Sequence, residues 1–262
     1  MIIGINGKIN SGKDTVGKII QFLVANKNLP KDMQYVSLEE LDGVVNVYSN
    51  WEIKKFAGKL KQTASLLTGI PIEMFEDQEF KKQEMPECWN KLYWNDPDPI
   101  EGNDYLITER IQYEDETSLI IYGGGSEAEV FDSEIVSKPM TYRELLQKLG
   151  TEAMRDGLHI NVWVNALFAD YRLWSDGSKD WYPNWIITDM RFPNELEAVV
   201  ERKGITIRVV RPDMHSLQAM VPAHASETAL DDAKFDYEII NDGSIDDLVE
   251  KVREILTKEG VI

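Results

Sequence analysis

The stretch Gly7-Lys8-Ile9-Asn10-Ser11-Gly12-Lys13 constrains this chain more than any other. An apolar β-branched run, Ile2 to Ile5, precedes it, and Val16, Ile19, Ile20, Leu23 and Val24 follow it at helical spacing in a segment from Gly12 to Ala25. The predicted order is strand, Gly-rich turn, helix. In the G-x-x-x-x-G-K pattern that these residues fit, consecutive backbone N–H groups turn inward around phosphate oxygens, and the positive end of the following helix points at the same place. Gly7 and Gly12 permit the turn, and Lys13 can reach β- and γ-phosphates. Asp14 stands where the pattern expects a Ser or Thr to touch magnesium, and Thr15 comes one place later. The metal contact is therefore open between Thr15, Asp14 through water, and neither.

Charge narrows the partner. The 262 residues carry 28 Lys and Arg against 46 Asp and Glu, a net charge of −18, so a nucleic-acid polymer is repelled. A small anion is not, because a few clustered cations and backbone N–H groups hold a phosphate whatever the global field. Cys88 is the single cysteine, which rules out an intrachain disulfide or a Cys-based zinc site. No apolar run approaches the roughly 18 residues of a membrane span, and Met1 to Asn6 lacks the basic flank of a signal peptide. A cytoplasmic protein with no membrane partner is expected.

Further along, Tyr35 to Leu38, Val44 to Tyr48 and Trp51 to Phe56 read as strand pieces, and Leu60, Ala64 and Leu67 mark a helix stopping near Gly69. Met74 to Gln83 reads as a short helix. Between about 86 and 138 the pattern changes: Tyr105 to Arg110 and Leu119 to Tyr122 resemble two strands, read as an inserted β-hairpin or flap. Thr141 with Glu144 forms a capping box ahead of Leu145, Leu146 and Leu149, and a second helix spans Val162 to Leu173. Trp185 to Asp189 is a buried strand, Glu195 to Lys203 a helix, Ile205 to Val210 and Tyr237 to Ile240 strands, and Ser244 caps a last helix through Leu256. Strands alternating with helices indicate an α/β fold, a mainly parallel sheet flanked by helices, as one domain of residues 1–262 with that insertion.

Asp189 ends an apolar strand, the place from which such a sheet presents residues to a ligand, and Arg191 follows two positions on. The plainer reading has Asp189 capping the next helix and Arg191 pairing with Glu195. Among Lys54, Lys55, Lys59 and Lys61 a solvated helix face is the default, with Lys61 the exception, placed to meet a phosphate. Trp163 fits a core position or a base-stacking one, while His159, His215 and His224 carry no metal-site spacing.

These blocks resemble the phage-type deoxynucleoside monophosphate kinases, members of the P-loop kinase superfamily. The similar segments are Ser11-Gly12-Lys13-Asp14-Thr15, Phe56-Ala57-Gly58-Lys59-Leu60-Lys61 and Leu146-Gln147-Lys148-Leu149-Gly150-Thr151-Glu152 with Trp163. They continue through Thr188-Asp189-Met190-Arg191 with Glu195, Val210-Arg211-Pro212, His224-Ala225-Ser226-Glu227 and Asn241-Asp242-Gly243-Ser244. The resemblance implies a P-loop kinase fold and transfer of the ATP γ-phosphate to a deoxynucleoside monophosphate, with Mg2+ as cofactor and the host cytoplasm as location. It makes Asp14 an expected residue, since the family's loop is similar in carrying Gly-Lys-Asp-Thr. It implies that Gly7, Asn10, Ser11, Gly12, Lys13, Asp14 and Thr15 hold ATP phosphates, with Arg211 on the ATP side. Gly150, Thr151, Trp163, Asp189, Arg191 and Glu195 match positions lining the monophosphate pocket, Lys61 lies near it, and Lys13 and Arg191 carry the catalytic charge.

Two rivals suit parts of the same sequence. One is another small-molecule P-loop kinase, of phosphomevalonate or dephospho-coenzyme A type, and the other a nucleotide-binding regulatory module without transfer. The later blocks favour nucleotides, and a second anionic pocket argues for an acceptor. An insertion at 86–138 would close over that acceptor and help select its base. A homodimer is compatible with all of this.

Overall fold

A computed structural model describes residues 1–29, 48–95, 104–212 and 228–262. The expected strand pieces Tyr35 to Leu38 and most of Val44 to Tyr48, together with His215 and His224 to Glu227, lie outside the described residues. In chain order the strands are β1 (Ile2–Gly7), β2 (Trp51–Lys54), β3 (Lys91–Asn95), β4 (Asp104–Gln112), β5 (Thr117–Tyr122), β6 (Ser126–Phe131), β7 (Ile135–Lys138), β8 (Trp174–Ser175), β9 (Asp180–Trp181), β10 (Asn184–Met190), β11 (Ile205–Val210) and β12 (Tyr237–Ile240). The described α-helices are α1 (Lys13–Asn28), α2 (Phe56–Thr68), α3 (Tyr142–Gln147), α4 (Val162–Phe168), α5 (Pro193–Glu201) and α6 (Ile245–Lys258). The chain divides into two compact units, Met1–Leu60 with Met154–Ile262, and Lys61–Ala153.

The first unit is built on a five-stranded sheet of order β12-β11-β1-β10-β2, parallel at every pairing. Successive side chains of a strand point to opposite faces, and both faces here are covered. Ile3, Ile5, Ile186 and Ile207 pack with Ile19, Ile20 and Leu23 of α1 and Leu248 and Val252 of α6. Their neighbours Ile2, Trp185 and Ile187 pack on the other side with Val164, Leu167 and Phe168 of α4 and Val199 of α5. The expected mainly parallel sheet flanked by helices is therefore what forms. Because all its strands run the same way, the residues that follow them share one edge, where open α/β sheets bind ligands.

The second unit holds an antiparallel sheet of order β6-β5-β4-β3-β7. The two strands expected inside the insertion are β4 and β5, but the element is a five-stranded sheet rather than a hairpin. β3 and β7, short and with little alternation, pair with each other in a register that sets Lys91 against Lys138. A separate core forms from Ala64, Phe75, Phe80, Met85, Met140, Tyr142 and Leu145, with Phe80 and Tyr142 stacked at 4.4 Å.

The short helix expected over Met74 to Gln83 is instead two 3-10 turns, Ile72–Glu76 and Phe80–Lys82. Asp77 interrupts them: its backbone is extended, and its Oδ1 accepts the N–H groups of Glu79 at 2.7 Å and Phe80 at 3.2 Å. Such a side chain offers the backbone a turn in place of a continuing helix. The capping box at α3 is present, with Thr141 Oγ1 accepting from Glu144 N at 3.2 Å and Glu144 Oε2 accepting from Thr141 N at 2.8 Å. Beyond α3 the chain widens into a π-helical stretch, Lys148–Asp156, through Gly150 and Thr151.

Candidate functional site

The Gly-rich loop leaves β1 at Gly7, on the carboxyl edge of the parallel sheet, and enters α1 at Lys13. Gly12 lies in the left-handed region at φ 98° and Asn10 at φ 62°. A Cβ at Gly7 would stand 2.3 Å from Ser11 Oγ and 2.8 Å from Val209 O, and one at Gly12 would stand 2.5 Å from Asn241 Nδ2. Both positions therefore exclude any side chain. Ser11 N–H donates to Lys8 O at 3.1 Å, and Asn241 Nδ2 donates to Ser11 O at 2.8 Å, tying the loop to the turn after β12. Gly12 caps α1 with no side-chain acceptor, so the first-turn N–H groups, which have no intrahelical partner by geometry, open onto the loop. Lys13 is 9% exposed and its Nζ donates to Lys8 O at 3.4 Å. Ser11 Oγ is buried and has no hydrogen-bond partner among the described residues.

Asp14 joins three elements. Its Oδ1 accepts from Thr188 Oγ1 on β10 at 2.8 Å and pairs with Lys55 Nζ, just past β2, at 2.9 Å. Partial burial disfavours the carboxylate, but Lys55, Thr188 and the charge of Lys13 outweigh that and hold its pKa below the ordinary value. The other lysines of the basic cluster also meet carboxylates: Lys54 with Glu52 at 2.6 Å, and Lys59 with Asp170 at 2.8 Å.

Asp189 does cap a helix, but not the one that follows it in sequence. Its Oδ1 accepts from Phe56 N at 2.8 Å and its Oδ2 from Ala57 N at 2.9 Å, so it holds the start of α2. Burial raises its pKa against those two N–H groups and the charges of Arg191 and Lys55. The half-buried Arg191 gives its backbone N–H to Glu195 Oε2 at 2.7 Å, and Phe192 N donates to the same oxygen at 3.1 Å. A guanidinium reaches Glu195 from Arg155, whose Nη2 lies 3.3 Å from Oε1 and whose head group lies 3.5 Å from the Phe192 ring centre. Burial, then the nearby Asp189 charge, pushes the Glu195 carboxyl up to about 7 despite these partners.

The family model described as deoxynucleotide monophosphate kinase matches residues 1–252. The chain belongs to that family. It is similar to the deoxynucleotide monophosphate kinase of Enterobacteria phage T4, at 31% identity over 114 residues that make up 44% of each chain. It is also similar to the deoxynucleotide monophosphate kinase of Escherichia phage RB69, at 26% identity over 267 residues, 97% of this chain and 99% of the relative. Membership in this family makes the protein a kinase and sets aside the regulatory module and the coenzyme A or phosphomevalonate readings.

Within this kinase the remaining expected site residues divide between the units. Trp163 is buried on α4, and Arg211 is exposed just past β11, at the carboxyl edge of the parallel sheet. Lys61, Gly150 and Thr151 belong to the second unit. There Lys61 Nζ lies 2.6 Å from Glu76 Oε1, and Arg143 Nη2 donates to Gln78 Oε1 at 3.1 Å. Burial lowers the pKa of Lys81, and the charges of Lys61 and Arg143 lower it further, so three cations converge in an acidic chain. Lys55 and Arg155 are the residues that sequence reasoning did not single out. Lys55 reads as part of a solvated helix face, and no motif surrounds Arg155. Among the described residues no group of three or more His, Cys, Asp or Glu could cage a metal ion. Side-chain oxygens at the loop include Ser11 Oγ, Asp14 Oδ2 and Thr15 Oγ1, a chemistry suited to a magnesium ion that keeps waters and takes phosphate oxygens. No helix among the described residues is long and apolar enough to cross a membrane.

Proposed function

We propose that this kinase has a P-loop kinase fold and transfers the γ-phosphate of ATP to a deoxynucleoside monophosphate, giving the diphosphate and ADP. The observation that carries the donor half is Gly12, left-handed and without a capping side chain, which opens the N-terminus of α1 beside Lys13. In this reading Gly7, Asn10, Ser11, Gly12, Lys13, Asp14 and Thr15 hold the ATP phosphates by backbone N–H groups and side chains, and Arg211 lies on the ATP side. Asp14 Oδ2 through water, or Thr15 Oγ1, would hold a magnesium ion, which would supply neutralising charge to the ATP phosphates.

Lys61, Gly150, Thr151, Trp163, Asp189, Arg191 and Glu195 serve the acceptor. Asp189 and Glu195 do so by position: one sets the start of α2, and the other holds the backbone that carries Arg191. Lys13 and Arg191 neutralise charge as the phosphoryl group moves, which is where phosphoryl-transfer enzymes gain most of their rate. No general base is required, since the acceptor phosphate is already a nucleophile at neutral pH.

The test is incubation with ATP, Mg2+ and each deoxynucleoside monophosphate in turn, with diphosphate as the readout. Product with at least one acceptor is expected. No product with any of them would overturn the proposal.

A further inference from the structure

We propose that Lys55 is a positioning residue of the donor site, whose charge makes the Asp14 carboxylate compatible with a triphosphate beside it. The inference rests on the reading that ATP occupies the loop from Gly7 to Thr15. Asp14 follows Lys13 directly and sits in the first turn of α1, at the end where that reading puts the phosphates. A fixed carboxylate there repels a polyanion held close to it. Its side chain is 55% exposed, so nothing forces it inward, yet both of its contacts fall on Oδ1, from Lys55 at 2.9 Å and Thr188 at 2.8 Å.

The strand β10 fixes both ends of this arrangement with adjacent residues on opposite faces. Thr188 points toward α1, where a Cβ on Gly17 would stand 2.6 Å from its Cγ2, and it holds Asp14. Asp189 grips the N–H groups of Phe56 and Ala57, the two residues that follow Lys55. The Lys55 side chain is thereby carried from an anchored backbone to the carboxylate at the head of α1. An isolated surface pair that merely ties α1 to β2 would contribute little and could be lost without effect on ligands. A pair serving the triphosphate behaves differently, because removing only its cation leaves the anion facing the ligand.

ATP binding measured by isothermal titration calorimetry, with and without Mg2+, separates these cases. The proteins are the wild type, Lys55→Met, Lys55→Gln, Lys55→Arg, Asp14→Asn and the Asp14→Asn/Lys55→Met double variant, with a thermal melt of each. Lys55→Met and Lys55→Gln should weaken ATP binding about ten- to a hundredfold with little change in melting temperature. Lys55→Arg should retain binding, and the double variant should return to within about threefold of Asp14→Asn alone. Wild-type affinity in Lys55→Met and Lys55→Gln overturns the inference. So does a double variant as weak as Lys55→Met, since Lys55 would then act without Asp14. A wild-type protein that fails to bind ATP overturns the reading of the loop itself, and this inference with it.

Discussion

Arg155 Nη2 lies 3.3 Å from Glu195 Oε1, and the two side chains are only 8% and 5% exposed. The pair sits beneath the turn that carries Arg191, because the other oxygen of Glu195 holds the Arg191 and Phe192 N–H groups. Removing one partner of a buried pair strands the other, at a typical cost of about 3–5 kcal/mol. Arg155→Met should therefore lower the melting temperature by roughly 10 °C, measured by calorimetry at pH 8. The loss should be smaller at pH 6, where the stranded carboxyl can take a proton.

The same carboxyl gives stability a pH dependence with a definite sign. Glu195 titrates at about 7 in the folded chain against an ordinary value of 4.5, so between those limits the native state holds a proton that the unfolded chain has released. Its contribution is fully present below the unfolded value and is lost as pH rises through about 7. Asp189, also raised by burial, acts in the same direction, whereas the contribution of Asp14, lowered, is present above its ordinary 3.8 and is lost only as pH falls below that. Melting temperatures should fall from pH 5 to pH 7.5, and Glu195→Gln should flatten most of that fall. An unchanged slope in the variant would contradict the assignment.

Lys13→Ala tests the loop directly. Loss of a cation placed against the moving charge typically costs about 10²–10³ in kcat. The variant should keep the wild-type fold, checked by a thermal melt, since Lys13 belongs to neither hydrophobic cluster of its unit. Near-normal turnover would remove Lys13 from the mechanism.

The antiparallel sheet can be excised, because Lys91 and Lys138 are cross-strand partners and a short turn can join their neighbours. Replacing residues 92–137 with Asn-Gly should leave the core of Phe75, Phe80 and Tyr142 intact. If the sheet helps to select the acceptor, KM for the deoxynucleoside monophosphate should rise and discrimination between bases should narrow in steady-state kinetics. Unchanged KM and preference would confine the sheet to another role.

The sequence alone determined most of the parallel unit. Apolar β-branched runs such as Trp185 to Ile187 read as strands covered on both faces, Gly12 marks backbone in the left-handed region, and Gly7 marks a close approach to Val209 O. Local signals of that kind survive without a tertiary context, as does the capping box at Thr141. What the sequence could not settle were pairings between residues far apart. Asp189 reads locally as a cap for the helix after it, yet it caps one that begins 133 residues earlier, because the parallel sheet sets the end of β10 beside the end of β2. Lys55 read as part of a solvated helix face, and Arg155 carried no signal at all. Only the fold, by burying one against Glu195 and aiming the other at Asp14, decided which charges they answer.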